Sequence, residues 1–172
     1  MSGLKGYDTT KRHAIAARHA AINAADSFTP VQLVAHAEAA GASGVRRIRI
    51  RDFQILSDSP FNFAGHDLGP TSPELQLGVL ASCIVHTYIV QAAMLDIGLD
   101  GVVVEVTADL DLRAGHPDHQ GIPAAPSNIR YTAHVAADVD DLEALNDTVR
   151  RNCPVMNLLE QPNTITGQVE RL

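Results

Sequence analysis

The stretch Gly69–Met94, GPTSPELQLGVLASCIVHTYIVQAAM, contains no charged residue after Glu74. Pro73 suits the first turn of a helix because its missing N–H would be unpaired there, and Glu74 is favoured by the positive helix end. Beyond this start, apolar residues lie on nearly every side, which is typical of a helix that is buried all round. We therefore predict a central core helix that carries Cys83 in its middle and ends at Gly98 as the C-cap.

An uncharged stretch of this length could also span a membrane. It contains polar residues such as Gln76 and Gln91, it is flanked by Glu74 and Asp96, and no Lys/Arg cluster beside it sets an orientation. We therefore favour the central helix of a soluble core and expect no membrane partner.

Composition and charge narrow the class of protein. The chain has 172 residues, 45% hydrophobic and 19% charged, which is ordinary for a globular domain with a sizeable core. Its net charge of -7 makes a nucleic-acid partner unfavourable. Two cysteines 70 positions apart form no disulfide framework, although they could form a redox pair. With no apolar targeting segment near Met1, we expect a cytoplasmic location.

The first part of the chain is predicted to be an accessory element. Residues 1–28 form a helical extension, with an alanine-rich helix that is capped by Thr9 or Thr10 and runs to Asn23. Residues 29–172 form the main domain. In its first segment, Thr29–Glu38, a capping signature favours a helix, whereas alternating apolar residues also permit a strand.

Several later segments carry strand or helix patterns. Val45–Phe53 alternates isoleucine with arginine, which predicts a half-buried strand whose arginines are either solvated or include one that faces a site. The remaining predicted elements are a strand end and loop over Gln54–Leu68, strands over Val102–Leu112 and Asn128–Ala136 joined by the loop Arg113–Ser127, an amphipathic helix over Asp140–Arg150 and a short strand over Thr164–Val169.

The two cysteines are the main candidates for chemistry. Cys153 precedes Pro154, so it can occupy the N-cap of a new turn through Val155 to Leu159. Arg150 and Arg151 lie just before it, and both a helix N-terminus and nearby cations favour a thiolate. Taken alone, Cys83 could equally be a small buried hydrophobe. Glu74 lies about two and a half helical turns before Cys83, so bridging the two would require a long cation such as arginine. The pairs Cys83/His86 and His116/His119 supply too few ligands for a metal, and no phosphate-binding glycine loop is present, so we expect no metal or cofactor.

Three motifs together resemble the OsmC/Ohr family, the osmotically induced and organic-hydroperoxide-resistance proteins. They are Gly69–Leu75 (GPTSPEL), Leu80–Cys83 (LASC) and Asn152–Asn157 (NCPVMN), in the family order, and the resemblance covers about Val31 to the C-terminus. It implies an α+β OsmC-like domain over residues 29–172, with antiparallel sheets around long cysteine-bearing helices in an intertwined homodimer. It also implies a thiol-dependent peroxidase that acts on organic hydroperoxides and is re-reduced by dithiols such as lipoyl groups.

The resemblance assigns roles by position. Cys83 matches the peroxidatic cysteine and Cys153 the resolving cysteine, while Glu74 matches the carboxylate that orients an arginine against the thiolate. The family arginine has no counterpart between Val31 and Gly44, so Arg46 or Arg47 could substitute, and we choose Arg47. Met156 is a second departure, since peroxidase-type relatives often carry serine there. The alignment also makes Val31–Ala39 a strand, which we adopt against the local capping signature.

A second function stays open. The missing arginine supports a non-catalytic OsmC-fold dimer that binds a small apolar ligand beside Cys83. The feature that separates the two hypotheses is the reactivity of Cys83, because burial in apolar surroundings raises the pKa of a thiol and makes it a poorer nucleophile.

Overall fold

The computed structural model describes residues 4–172 and has the mixed α+β architecture that the sequence predicts. The helices are α1 Lys5–Asn23, α2 Ser72–Met94, α3 Leu142–Asn152 and α4 Pro154–Glu160, and the strands are β1 His36–Ala39, β2 Arg46–Ile50, β3 Phe53–Ser57, β4 Leu99–Asp109 and β5 Ser127–Ala137. Strands β1, β2 and β3 form one antiparallel sheet in that order, and β4 pairs with β5 in a second sheet. Short 3-10 turns cover Phe61–Phe63 and Pro117–His119.

The chain divides into two compact units. The first, here called the cysteine unit, comprises the described part of Met1–Ile15 together with Leu80–Glu105 and Thr132–Leu172. The second, here called the hairpin unit, comprises Ala16–Val79 and Val106–Tyr131.

The core of the cysteine unit is built by α2, α3 and α4. Ile84 from α2 and Leu145 and Val149 from α3 are almost completely buried. The amphipathic pattern over Asp140–Arg150 is confirmed as α3, whose N-cap Asp141 accepts a hydrogen bond from the Ala144 N–H at 3.0 Å.

Fewer residues of helix α2 are buried than the sequence predicts. Only seven of its 23 residues are buried, although the sequence predicts burial on all sides. It meets the length and hydropathy criteria for a membrane span, which core helices of soluble proteins also meet. Its end also differs, because Asp96 rather than Gly98 adopts the left-handed conformation, with φ 60°, while the Ile97 N–H bonds back to the Ala92 carbonyl.

The hairpin unit contains a strand that the sequence analysis missed. The predicted strand Val45–Phe53 is interrupted after Ile50, and the chain reverses at Arg51-Asp52 so that β3 pairs with β2. This turn has no glycine or proline to mark it in the sequence. Arg51 takes the left-handed φ of 54°, and its guanidinium lies 5.0 Å from the centre of the Phe53 ring, a contact that stabilises the turn.

Three other predicted boundaries change. Helix α1 begins at Lys5, earlier than the predicted caps Thr9 and Thr10. Strand β1 forms only over His36–Ala39, so the first half of the predicted strand Val31–Ala39 is irregular. Thr164–Val169 forms no strand, because an alternating pattern produces a strand only where a neighbouring strand supplies hydrogen bonds.

A buried carboxylate shapes the loop between β3 and α2. Asp58 accepts hydrogen bonds from the backbone N–H groups of Ser59, His66 and Leu68, at 2.8 to 3.2 Å. Burial opposes ionisation, yet these three donors together hold the pKa of Asp58 below its usual range. Gly65 is required here because a Cβ atom would collide with the Ser59 carbonyl. Polar contacts thus fix this loop, whose large apolar side chains Phe61, Phe63 and Leu68 are exposed.

Candidate active site

The structure brings Cys83 and Cys153 together. Their Sγ atoms lie 3.4 Å apart, and both thiols are free. A disulfide bond is about 2.05 Å long, so the two sulfurs need to approach by only about 1.4 Å to join. Both residues belong to the cysteine unit, so this pair rests on contacts within one compact body.

The junction between α3 and α4 holds Cys153 in place. Cys153 is the C-cap of α3 and the N-cap of α4, because Pro154 cannot continue α3 but fits the first position of a new helix. Its side chain is completely buried. The sequence correctly predicts both the N-cap position and the short helix after it.

Asn157 is a positioning residue that the sequence analysis did not identify. Its side-chain Nδ2 donates to the carbonyls of Arg150 and Arg151, each at 3.3 Å, and to that of Cys153 at 2.8 Å. These bonds satisfy carbonyls that the end of α3 leaves without helical partners. The signal in the sequence is an amide four residues after a cysteine at a helix junction.

The surroundings of Cys83 act on its pKa in opposite directions. Burial raises the pKa of the Cys83 thiol, and the adjacent Cys153 thiol raises it further, whereas the backbone N–H of Val155 donates to the sulfur and partly offsets both. The net pKa lies above the ordinary value for cysteine. Cys83 is only partly buried, so of the two sulfurs it is the one that a solute reaches.

Glu74 lies in the first turn of α2, in the hairpin unit. Its Oε2 accepts hydrogen bonds from both the backbone N–H and the hydroxyl of Thr71, each at 2.7 Å. These two bonds hold the pKa of Glu74 below its usual range, so the carboxylate is ionised. The arrangement is a capping contact at the helix N-terminus.

Arg46 and Arg47, the first two residues of β2, have different partners. Arg47 lies opposite Glu38 in the register of β1 and β2, and its Nη1 pairs with the Glu38 carboxylate at 2.9 Å. Arg46 donates to the hydroxyl of Ser57 at 2.8 Å and to the carbonyl of Asp58 at 3.1 Å. The described contacts therefore join the two cysteines to each other, Glu74 to Thr71, and Arg47 to Glu38.

A histidine on α2, the helix that carries Cys83, has a cationic neighbour. Lys11 Nζ lies 3.1 Å from the Nε2 atom of His86, one turn after Cys83 on α2. Burial and the Lys11 charge lower the pKa of His86, which favours the neutral imidazole. Among residues 4–172, no three His, Cys, Asp or Glu side chains are grouped so that they could hold a metal ion.

A family model described as OsmC-like protein matches residues 65–167. A search of curated protein sequences gave no significant match.

Solved structures share the fold at low sequence identity. An OsmC-like protein from Mycoplasma pneumoniae is 18% identical, with a TM-score of 0.64 over 77% of this chain and 89% of that protein. The organic hydroperoxide resistance protein OsmC from Legionella pneumophila is 16% identical, with a TM-score of 0.51 over 77% of this chain and 91% of that protein. An organic hydroperoxide resistance protein from Elizabethkingia anophelis is 13% identical, with a TM-score of 0.54 over 77% of this chain and 90% of that protein.

Proposed function

Because the chain belongs to the OsmC-like protein family, we propose that it is a thiol-dependent peroxidase that reduces organic hydroperoxides. The observation that carries this proposal is the 3.4 Å separation of the Cys83 and Cys153 sulfurs. A sheltered second thiol at this distance is what a thiol-to-disulfide cycle needs. The names of the similar proteins from Legionella pneumophila and Elizabethkingia anophelis give the substrate class.

In the proposed reaction, the Cys83 thiolate attacks the distal oxygen of the hydroperoxide ROOH. The O–O bond breaks, the alkoxide leaves and takes up a proton as ROH, and Cys83 becomes a sulfenic acid. The Cys153 thiol then attacks the Cys83 sulfur, which releases water and forms the disulfide. Because Cys83 is the more accessible sulfur, an external dithiol of the lipoyl type would attack there and release Cys153 as the leaving thiol.

The thiolate requires stabilisation, since the pKa of Cys83 is raised. The N–H of Val155 supplies one hydrogen bond to the sulfur. We assign the remaining charge stabilisation to Arg47 with Glu74, the sequence-predicted pair. Among residues 4–172, the partner of the Arg47 guanidinium is Glu38, in an exposed ion pair that is weak enough to be exchanged for another partner.

The test is the intact mass of the reduced protein after a stoichiometric pulse of cumene hydroperoxide. We expect wild type to lose two hydrogen atoms within seconds, Cys83→Ser to lose none, and Cys153→Ser to gain one oxygen that a sulfenic-acid reagent traps. Hydrogen peroxide at the same concentration is the control for substrate class. An unchanged wild-type mass after minutes would refute the peroxidase.

We also propose a cytoplasmic homodimer. Twenty-six large hydrophobic side chains among the described residues are exposed, against eleven buried hydrophobic residues. Exposed apolar surface on this scale is typical of chains that associate. Light scattering after size exclusion should give twice 18.4 kDa, and a monomer at micromolar concentration would contradict the dimer.

The raised pKa of Cys83 favours a second candidate, an OsmC-fold protein that binds a small apolar ligand without catalysis. A thiol of raised pKa is protonated at neutral pH and reacts slowly. Native mass spectrometry of the protein as purified from cells separates the two functions. A retained small molecule together with unreactive thiols would favour binding, whereas rapid disulfide formation would exclude a purely binding role.

A further inference from the structure

The hairpin unit contains a cavity that the thiol chemistry does not use. Its volume is about 490 Å³, and all of its lining residues belong to Ala16–Val79 and Val106–Tyr131. Neither cysteine lines it, and neither do Glu74 and Arg47. Its size lies within the range of pockets that hold small organic ligands.

The cavity has a cation that is not neutralised by an acid. Arg46 lines the wall, and its Nη1 donates to the Gly44 carbonyl at 2.7 Å and the Ser59 hydroxyl at 3.3 Å. Its Nη2 donates to the Ser57 hydroxyl and the Asp58 carbonyl. All four acceptors are neutral oxygens, so they fix the guanidinium in place without forming an ion pair. The Nε–H has no acceptor among residues 4–172 and is free to bind a ligand oxygen.

The single acid in the wall is already paired. Asp111 binds Arg113 through two bonds, Nε to Oδ1 at 3.0 Å and Nη2 to Oδ2 at 2.6 Å. Hydrogen bonds from Arg113 lower the pKa of Asp111 to about 2, so it remains ionised and its charge is balanced by Arg113. The neighbouring Asp58 carboxylate keeps its negative charge, but it accepts hydrogen bonds from three backbone N–H groups and does not line the cavity. Among the described residues that line the wall, Arg46 is therefore the one cation that a ligand in the cavity can meet.

The rest of the wall is largely apolar. Phe63, Leu110 and Leu112 line it and are 80%, 41% and 87% exposed, so the rest of the described chain leaves much of their apolar surface uncovered. Burying such surface favours a ligand with an apolar body.

We propose that this cavity binds a small monocarboxylate, with its carboxylate on Arg46 and its hydrocarbon part against Phe63, Leu110 and Leu112. A single cation with one free N–H donor suits a singly charged anion. A phosphate or a dicarboxylate would bring a second negative charge for which the wall offers no cation. The site is independent of the peroxidase proposal because it contains none of the residues assigned to that reaction.

The first test is calorimetric titration of the Cys83→Ser variant with octanoate, beside 1-octanol as a probe of equal chain length without charge. The serine variant removes any thiol reaction from the signal. We expect octanoate to bind at least about tenfold more tightly than octanol, the ratio that about 1.4 kcal/mol of charge interaction gives. Equal affinities, or no octanoate binding at millimolar concentration, would overturn the proposal.

A matched pair of variants locates the site. Leu112→Asp and Leu112→Asn introduce side chains of the same size that differ in charge, at a position exposed enough to leave folding intact. We expect the aspartate to weaken octanoate binding about tenfold relative to the asparagine by like-charge repulsion at the cavity mouth. Octanol binding should not distinguish the two variants. Equal octanoate affinities of the two variants would place the ligand elsewhere and refute this site.

The role of Arg46 in binding the carboxylate is tested by Arg46→Gln, with Arg49→Gln as a control that removes a charge from the same strand. Loss of octanoate binding in the Arg46 variant alone supports this role, and circular dichroism verifies that the variant is folded. Equal binding by both variants would contradict it. If Arg46→Gln fails to fold, the Leu112 pair still decides the proposal.

Discussion

The cysteine unit and the hairpin unit are stabilised in different ways. Of the fifteen buried residues in the part of the chain that the structure describes, only Val45, Ser57 and Asp58 belong to the hairpin unit, and the other twelve belong to the cysteine unit. Two of the three in the hairpin unit are polar. Apolar burial therefore dominates around the thiols, whereas hydrogen bonds centred on Asp58 and Arg46 organise the loop and the cavity.

The difference separates two kinds of chemistry. A thiol pair benefits from a dry surrounding that shelters a sulfenic acid, although the same dryness raises the pKa of Cys83. The proposed carboxylate site uses Arg46, a cation whose position is fixed by neutral oxygens. These oxygens come from backbone carbonyls and serine hydroxyls of the hairpin unit. The thiol pair thus lies in the unit with the apolar core, and the cavity lies in the unit whose loops are fixed by hydrogen bonds.

The largest effect on stability is expected for Ile84→Ala. Ile84 is 0% exposed in the core of the cysteine unit, and its truncation leaves a cavity that should lower the free energy of unfolding by about 2–5 kcal/mol. Urea denaturation followed by circular dichroism measures the change.

The matched control is Val79→Ala, on the same helix but 50% exposed. Within one chain its truncation removes little buried surface, so we expect a change below about 1 kcal/mol. If both variants lower the free energy of unfolding equally, the expected difference between a buried and an exposed position is contradicted. Such a result would indicate that the exposed face of α2 is covered by a second copy of the chain. Repeating the titration at tenfold different protein concentrations tests that explanation.

In the hairpin unit, the variant that corresponds to Ile84→Ala is Asp58→Asn, which changes a buried polar side chain. The amide keeps one oxygen but presents an NH₂ group to the N–H donors of His66 and Leu68, so we expect a lower denaturation midpoint and faster proteolysis within residues 59–70. Asp67→Asn is the control, since Asp67 is an exposed acid in the same loop and asparagine tolerates its left-handed φ of 53°.

The pH dependence of this effect has a defined sign. The folded-state pKa of Asp58 is below its ordinary value of 3.8, so its ionised form stabilises the fold above that pH and the stabilisation is lost as the pH falls through the lowered pKa. The difference in stability between wild type and Asp58→Asn should therefore be full at pH 6 and shrink below pH 3.8. A difference that grows in acid would contradict this account.

The next effect concerns reactivity within the cysteine unit. Removing the neighbouring thiol with Cys153→Ala should lower the pKa of Cys83, because the Cys153 thiol raises it. Iodoacetamide alkylation of Cys83 at pH 8 should then be a few-fold faster than in wild type, since a lower pKa gives more thiolate at a fixed pH. The pH–rate profile of each protein, followed by mass spectrometry, provides the two pKa values. An unshifted profile would show that Cys153 does not act on Cys83.

The two units also differ in how well their sequences predicted them. The cysteine unit followed from periodicity and capping, because the long apolar pattern, the acidic start of α3 and the Cys153-Pro154 junction are local signals. The proximity of two residues 70 positions apart was not a local signal, and it was expected only from the family resemblance.

The hairpin unit was harder to predict. The turn at Arg51-Asp52 has none of the residues that usually mark a hairpin. The cavity was missed for a related reason: its cation, Arg46, is fixed by backbone carbonyls that sequence patterns do not reveal.

The smallest change in stability is expected for Arg47→Gln. Its ion pair with Glu38 joins side chains that are 43% and 65% exposed, and such pairs contribute at most about 1 kcal/mol because water and salt screen them. If Arg47 serves the Cys83 thiolate as we propose, the rate of disulfide formation after a peroxide pulse should nevertheless fall about tenfold, as expected for a loss of about 1.4 kcal/mol in the transition state. Arg49→Gln, two residues further along on the same face of β2, should change neither quantity. Equal rates for the two variants would remove Arg47 from the reaction and leave the Val155 N–H as the thiolate's assigned donor.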